Sequence, residues 1–438
     1  MKTNFLRLSF LISLPVLALC GAEPPPSSGP IAVTAAFVDR LMAEAQSRNP
    51  ALAAAGARAD AASASVDSVR TWEDPMVSLG VDKSTPRGMP ASQTGNIIYG
   101  IEQKLPVAGQ PALARRMAEA EAAKERLNLN YETQALRRDL TAALADLALA
   151  DKAIEFAQED LGWLQTLLDA VDHRYKVGQS SQVEWLKVQT EQAQALDHLK
   201  SLEVDRDHRQ VELNRLLNRD LDTPWPAVEL PAIPPAVPYS DALVNTTVRS
   251  EPKLKVMQQE IAAAEAAARL TRRQRLPEVG VGLEARQYSG DGGIRDGALT
   301  VNFTVPWFNG RRYDSDIRRD EAMVRASERE ADDYTLTLRR ELHRLTSDLD
   351  DARRQALLYR DKIIPLTEQT LTSARAAWEN NLGLFQDVLD THRMLLDNRL
   401  ILAQSTAAQV SLLAELTLLT GVKDFAAFAP SADPTQSP

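Results

Sequence analysis

Residues 276 to 285 read LPEVGVGLEA. Val279, Val281 and Leu283 alternate with Gly280, Gly282 and Glu284, so one face is apolar and the other small or polar, the period of a half-buried β-strand. The segments on either side are alanine-rich and helical in pattern. DPMVSLGVD, residues 74 to 82, repeats the alternation earlier in the chain, and the likeness extends well beyond the two strands.

An offset of 200 to 203 residues holds from one end of the chain to the other. Asn49-Pro50-Ala51-Leu52 corresponds to Glu251-Pro252-Lys253-Leu254, Pro75-Met76-Val77 to Pro277-Glu278-Val279, Leu105-Pro106 to Val305-Pro306, Tyr175 to Trp378, and Leu216-Leu217 to Leu418-Leu419. The chain is therefore one unit written twice. Between the copies lies TPWPAVELPAIPPAVPY, residues 223 to 239, whose six prolines exclude helix and suit an extended linker. The expected division is a leader over 1–22, a first repeat over 23–222, the linker over 223–239, a second repeat over 240–424 and a tail over 425–438.

Each repeat carries the same order: an opening helix, a strand, a Gly/Pro/Ser-rich loop, a second strand, a very long helix, a short turn and a return helix. The opening helices are expected from about Thr34 to Trp72 and from Ser240 to Arg275, capped by Thr34 and Ser240 and kinked at Pro50 and Pro252. The strands fall at about 75–83 and 96–106 in the first repeat and 277–287 and 298–306 in the second. The loops are KSTPRGMPASQTG, 83–95, and SGDGGIRDG, 289–297. The fold class is mostly α with a small β part.

In the first long helix, Leu147, Ile154, Leu161, Leu168 and Tyr175 recur every seven residues with Ala150, Ala157, Leu164 and Val171 between them, which is a coiled-coil seam. A second stripe, Leu149, Phe156, Trp163 and Ala170, runs two positions along. Two seams need two neighbours, which a simple two-helix hairpin does not supply and a ring of helices does, so neighbouring copies of the chain are expected to cover the second seam. From Pro111 to Asp172 this helix extends roughly 90 Å at about 1.5 Å per residue.

The second strands answer the first. NIIYGIEQKL places Ile97, Tyr99 and Ile101 on one face and Gly100, Glu102 and Lys104 on the other; ALTVNFTVPW places Leu299, Val301, Phe303 and Val305 against Thr300, Asn302 and Thr304. Each strand is about the ~9–11 residues that a tilted strand needs to cross a bilayer. An apolar outside with a small or polar inside suits a water-filled membrane barrel, and the same pattern also suits a soluble sheet packed on helices. Four strands leave open edges, which lipid does not tolerate, and membrane barrels begin at about eight strands. If these strands span a membrane, several protomers share one barrel, and three copies give twelve strands.

Composition narrows the classes further. A chain of 438 residues, 44% hydrophobic and 25% charged, is globular in balance. A net charge of −10 without a concentrated basic segment argues against nucleic acid as a partner. MKTNFLRLSFLISLPVLALCGAEPPP has the plan of a secretory leader. The single cysteine, Cys20, excludes an internal disulfide. Leu17-Ala18-Leu19-Cys20 resembles a bacterial lipobox in which Cys20 carries the lipid, and Cys20-Gly21-Ala22 equally fits cleavage after Ala22. No later stretch reaches ~18 consecutive apolar residues, so no transmembrane helix is expected. His173, His198, His208, His343 and His392 are scattered on predicted helix surfaces with no HExxH, carboxylate dyad or partner cysteine, and Gly290-Asp291-Gly292-Gly293 opens no helix. No catalytic residue, cofactor or resident metal is expected.

The NP-x-L openings, the Pro-led strands, Gln103-Lys104-Leu105-Pro106-Val107-Ala108-Gly109 and the run from Tyr175-Lys176-Val177-Gly178 to Trp185-Leu186 resemble the outer-membrane factors of the TolC family, the ducts of tripartite efflux and secretion systems. The glutamine and LPxxG before the long helix are most similar to the branch that includes CzcC and CusC, which serves metal-exporting RND pumps. The resemblance covers nearly the whole mature chain. It implies a homotrimer with a twelve-stranded barrel in outer-membrane lipid and a twelve-helix periplasmic tunnel, a periplasmic adaptor protein and an inner-membrane RND-type pump as partners. Drug-efflux and type I secretion ducts belong to the same family. A periplasmic adaptor would show one hairpin flanked by split β-domains, and a coiled-coil structural protein would not need four strands.

The resemblance also implies where function sits: the turns from Arg174 to Leu186 and from Ala377 to Leu389 form the periplasmic tip. Arg174, Tyr175, Gly178, Ser181, Trp378, Asn381 and Gly383 are the expected tip and adaptor-contact residues. Gly178 fits a helix end that needs φ > 0, and the aligned Asn381 is the next most tolerant residue there. The family's acidic residue next to a valine appears as Asp387-Val388, whereas the first repeat has Glu184-Trp185. Glu184 and Asp387, tripled by symmetry, would ring the narrow end with carboxylates that favour cations or hold it shut. The alternative is that they merely complement the dipole of the return helix.

Overall fold

The computed structural model describes residues 30–69, 72–83, 95–288, 292–422 and 425. Cys20 and the leader, most of the 83–95 loop and nearly all of the tail lie outside the described residues. In the first repeat the elements are β1 (Ile31–Ala32), α1 (Ala35–Arg48), α2 (Pro50–Ser68), β2 (Met76–Lys83), β3 (Gly95–Leu105), α3 (Gln110–Lys176) and α4 (Gln182–Leu217). The linker contributes β4 (Val228–Glu229). The second repeat comprises α5 (Asp241–Ser250), α6 (Pro252–Arg273), β5 (Val279–Tyr288), β6 (Ile294–Phe303), a 3₁₀ turn at Pro306–Asn309, α7 (Gly310–Leu358), a π turn at Tyr359–Ile363, α8 (Ile364–Glu379) and α9 (Phe385–Thr420).

Thr34 and Ser240 cap the opening helices as expected, each hydroxyl accepting a backbone N–H, from Phe37 at 3.3 Å and from Leu243 at 3.2 Å. The expected kinks at Pro50 and Pro252 are complete breaks. Proline drives the preceding residue out of the helical region and itself favours the first helical position, so Asn49 and Glu251 are extended and each caps a new helix. Asn49 also donates to the Leu216 carbonyl at 2.8 Å, fastening this corner to the end of α4. In the second repeat Ser250 donates to the Thr420 carbonyl at the end of α9. Glu251 is buried, accepts the Leu254 N–H and takes the Tyr334 hydroxyl at 3.0 Å. Burial, outweighing these hydrogen bonds, pushes its carboxyl above the ordinary range, and burial and the neighbouring Glu251 push the Tyr334 phenol up.

The linker is extended as expected but is not loose. Ile31 pairs with Val228 in a two-stranded parallel clasp, and Asp151 on α3 accepts the Val228 N–H at 2.8 Å. Arg206 joins Asp151 to the Trp225 carbonyl. Equivalent cores lie beneath each repeat: Phe37, Leu140, Leu144, Leu213 and Trp225 in one, Leu243, Leu342, Leu345, Leu349 and Leu416 in the other. A fully buried leucine contributes about 1.5–3 kcal/mol.

The 67 residues of α3 extend about 100 Å. Its two seams are both covered within one protomer, by α4 on one side and by α9 of the second repeat on the other. Leu147, Ala150, Ala157, Leu164 and Val171 are buried, while Leu149, Phe156, Trp163 and Ala170 are half-buried. This corrects the inference that the seams alone demand neighbouring copies: the duplication supplies the second partner. The second long helix is interrupted by the π turn immediately before Pro365, whose missing N–H breaks the ladder there.

The four strands form one antiparallel sheet in the order β2-β3-β5-β6. The strands begin and end within four residues of the expected bounds; β6 starts at Ile294, so the second loop is shorter than 289–297. Val77, Ile101, Leu283 and Leu299 stand in one row across all four strands, and Leu79, Tyr99 and Ala285 in the next. Directly paired residues share a face, so the register gathers the apolar side chains on one side. That side is bare: Val77 is 77% exposed and Leu299 74%. The other face holds Gly100, Gly280 and Gly282 where neighbours crowd in; a Cβ on Gly280 would lie 2.9 Å from a Glu102 carboxylate oxygen.

Candidate functional site

At the far end of the helices the two hairpin turns come together. The first closes through a left-handed Gly178, φ +77°, with the Gly178 N–H bonded to the Tyr175 carbonyl at 3.0 Å and the Gln179 N–H to Arg174 at 2.8 Å. Ser181 then caps α4, accepting the Glu184 N–H at 3.2 Å. In the second turn Asn381 takes the left-handed conformation, φ +59°, as its alignment with Gly178 anticipated. Gly383 is required by contact rather than by φ: a Cβ there would meet Ala377 Cβ at 2.9 Å.

Arg174 joins the turns. Its guanidinium donates to the Glu379 carbonyl at 2.9 Å and to the Asn381 side chain, and lies 4.7 Å from the centre of the Trp378 ring. Trp378 is only 4% exposed and packs at 5.4 Å on Phe385, inside a cluster with Leu167, Val171, Val188, Val388 and Leu389. The indole therefore offers no contact surface; it is the floor on which Arg174 rests. Tyr175, Ser181 and Asn381 are exposed at the end, together with Leu382 and Leu384.

Glu184 and Asp387 stand in the first turns of neighbouring helices, α4 and α9, which Lys187 and Gln386 cross-link at 2.8 Å. Their surroundings differ. The Glu184 carboxylate accepts the Ser180 hydroxyl and so braces the start of its own helix. Asp387 is exposed, and among the described residues its carboxylate has no hydrogen-bond or ion-pair partner.

A further set of contacts between the repeats lies outside the tip residues expected from the sequence. His392, expected on a helix surface, is buried: its Nε2 lies 2.8 Å from Asp160 and its ring stacks on Trp163 at 3.5 Å. Arg393 pairs with Glu191, and Arg399 bridges Glu159 at 3.2 Å and Glu368 at 3.0 Å. Asp160 and His392 are 232 positions apart; only the packing of α9 on α3 brings them together. Among the described residues no group of three or more His, Cys, Asp or Glu side chains could hold a metal ion, and no helix is long and apolar enough to cross a membrane.

A bare apolar sheet set on a helical stalk about 100 Å long defines a protein built to sit partly in lipid and partly in water. The chain belongs to the outer membrane efflux protein family, which matches residues 41–219 and 243–422, once per repeat. No curated protein matches it. Among solved structures it is similar to the outer-membrane channel OprN, with 16% identity, a TM-score of 0.77 and coverage of 88% of this chain and 90% of that one. CusC, described as undergoing conformational changes on folding and transmembrane channel formation, gives 16% identity and a TM-score of 0.77 over 87% and 91% of the two chains. The outer membrane protein VceC from Vibrio cholerae gives 17%, 0.74, 88% and 96%. These likenesses establish the fold, and the family places the protein in the outer membrane with its long helical part in the periplasm.

Proposed function

We propose that the protein works as a homotrimeric, passive duct: three four-stranded sheets close a twelve-stranded barrel, and the helices continue it as a periplasmic tunnel. The observation that carries this is the sheet itself, apolar and bare on one face with β2 and β6 as open edges. Unpaired backbone groups are not tolerated in lipid, and an edge-to-edge ring satisfies them. Small solutes pass through it from an inner-membrane RND-type pump, joined by a periplasmic adaptor at the turns around Gly178 and Asn381. The reading that metal cations are among the solutes rests on Gln103 and the Leu105-Pro106 motif before α3. Asp387, exposed and unpartnered among the described residues, is the stronger candidate for the charged aperture, and Glu184 the weaker because its carboxylate is engaged by Ser180. Planar-bilayer recording of the purified protein tests the reading: stepwise cation-conducting channels support it, and a purified, folded protein that never inserts or conducts opposes it.

A further inference from the structure

Where the strands meet the helices, the register brings one end of all four strands to a common level, with Leu105 opposite Val279 and Val279 opposite Phe303. Large side chains project into solvent there: Trp72 just before β2, and Trp307 and Phe308 just after β6, with Phe308 91% exposed and Trp307 66%. The band continues the bare apolar face of the strands towards the helices. Its other component is arginine. Arg115, Arg272, Arg275 and Arg312 have carboxylate partners. Arg116, Arg273 and Arg311, by contrast, are exposed and make no side-chain ion pair or hydrogen bond among the described residues. Gln110, at the start of α3, donates to the Arg273 carbonyl, and Arg275 on the same segment pairs with Asp314 of α7, so the starts of α3 and α7 and the end of α6 are neighbours.

We propose that this junction is a collar that binds phosphate-bearing headgroups of the periplasm-facing leaflet, the inference resting on the reading that the sheet crosses the membrane. Aromatic rings with one apolar face and a polar edge settle at headgroup level. Guanidinium forks match phosphate oxygens, and uncommitted ones are free to do so. In a chain of net charge −10, Arg116, Arg273 and Arg311 set three uncommitted guanidinium groups beside the aromatic band, and this is an arrangement that attracts an anionic surface. The collar fixes the depth at which the barrel sits.

The test uses the full-length protein in phosphatidylcholine vesicles containing either brominated phosphatidylglycerol or brominated phosphatidylcholine, with bromines near the headgroup to quench tryptophan. Trp163, Trp185, Trp225 and Trp378 lie on the stalk or linker, so the quenched signal should belong to Trp72 and Trp307 and vanish in Trp72→Phe/Trp307→Phe. At low salt the anionic lipid should quench the wild type at a concentration at least about fivefold lower, the worth of one interfacial arginine. Arg116→Gln/Arg273→Gln/Arg311→Gln should keep the quenching and the conductance but lose the preference. Equal quenching of the wild type by both lipids would overturn the proposal. So would conducting vesicles in which Trp72 and Trp307 are not quenched, which would place the band elsewhere or under a second copy of the chain. A protein that conducts in no vesicle would overturn the duct reading, and the collar with it.

Discussion

The guanidinium of Arg174, from the first repeat, lies 4.7 Å from the ring of Trp378, from the second, and bonds the backbone of the turn that follows it. One side chain thus holds both hairpin turns in register. A half-buried cation–π contact with a charged hydrogen bond contributes about 2 kcal/mol. Arg174→Gln is therefore expected to leave assembly intact while speeding amide exchange at 178–181 and 380–384. Unchanged exchange in both turns would show that the cluster beneath Trp378 suffices without Arg174.

The sheet predicts a depth profile. Leu299, in the row with Val77, Ile101 and Leu283, is near the middle of β6. Leu299→Arg should cost about 2–4 kcal/mol, Val301→Arg less, and Phe303→Arg, at the strand end, about 0–1 kcal/mol, read as trimer yield in outer-membrane fractions. Asn302→Arg on the opposite face should assemble and change conductance instead. Equal tolerance on both faces would contradict the barrel.

Strand phase was legible because alternation is a local property: Val279, Val281 and Leu283 declare their face without any partner. The repeat made the order of elements and the two turns legible, down to Asn381 standing where Gly178 does. What the sequence hid depends on contacts between distant segments. The linker reads only as extended because nothing local reveals that Val228 pairs with Ile31. His392 reads as surface because Asp160 and Trp163 belong to the other repeat. Trp378 aligns with the exposed Tyr175, yet the cluster around Phe385 buries it. The second seam of α3 suggested a neighbouring copy because its partner, α9, begins more than 200 residues after the seam.

The two repeats supply an internal control for pH dependence. Asn49 and Glu251 occupy equivalent caps, but burial raises the Glu251 carboxyl in the folded protein. A raised carboxyl binds its proton more tightly when folded, so the contribution of Glu251 to stability is fullest at or below its ordinary 4.5 and is lost as pH rises through the folded value. Glu251→Asn should remove that slope, so that variant minus wild type shifts in favour of the variant from pH 4.5 upward, measured by denaturant unfolding at several pH values. A constant difference across the range would mean that Glu251 is not the titrating group.

On the proposed aperture reading, removing the charges of Asp387 and Glu184 should act on conduction, since surface charges contribute only about 0–1 kcal/mol each to stability. Asp387→Asn is expected to reduce cation preference in planar bilayers, with Glu184→Gln having the smaller effect because Ser180 already engages that carboxylate. The double variant should still assemble and show the larger conductance. If its conductance and selectivity match the wild type, these residues only complement their helix dipoles.

A twelve-stranded barrel requires that the open edges β2 and β6 be closed by other copies of the same chain. Because both seams of α3 are satisfied inside one protomer, helicity alone does not report on this. The direct measurement is the protein mass in detergent by light scattering, before and after heating. Three copies of the chain that separate on heating are expected, and a homogeneous monomer with its helices intact and conducting channels would rule out a barrel shared between copies.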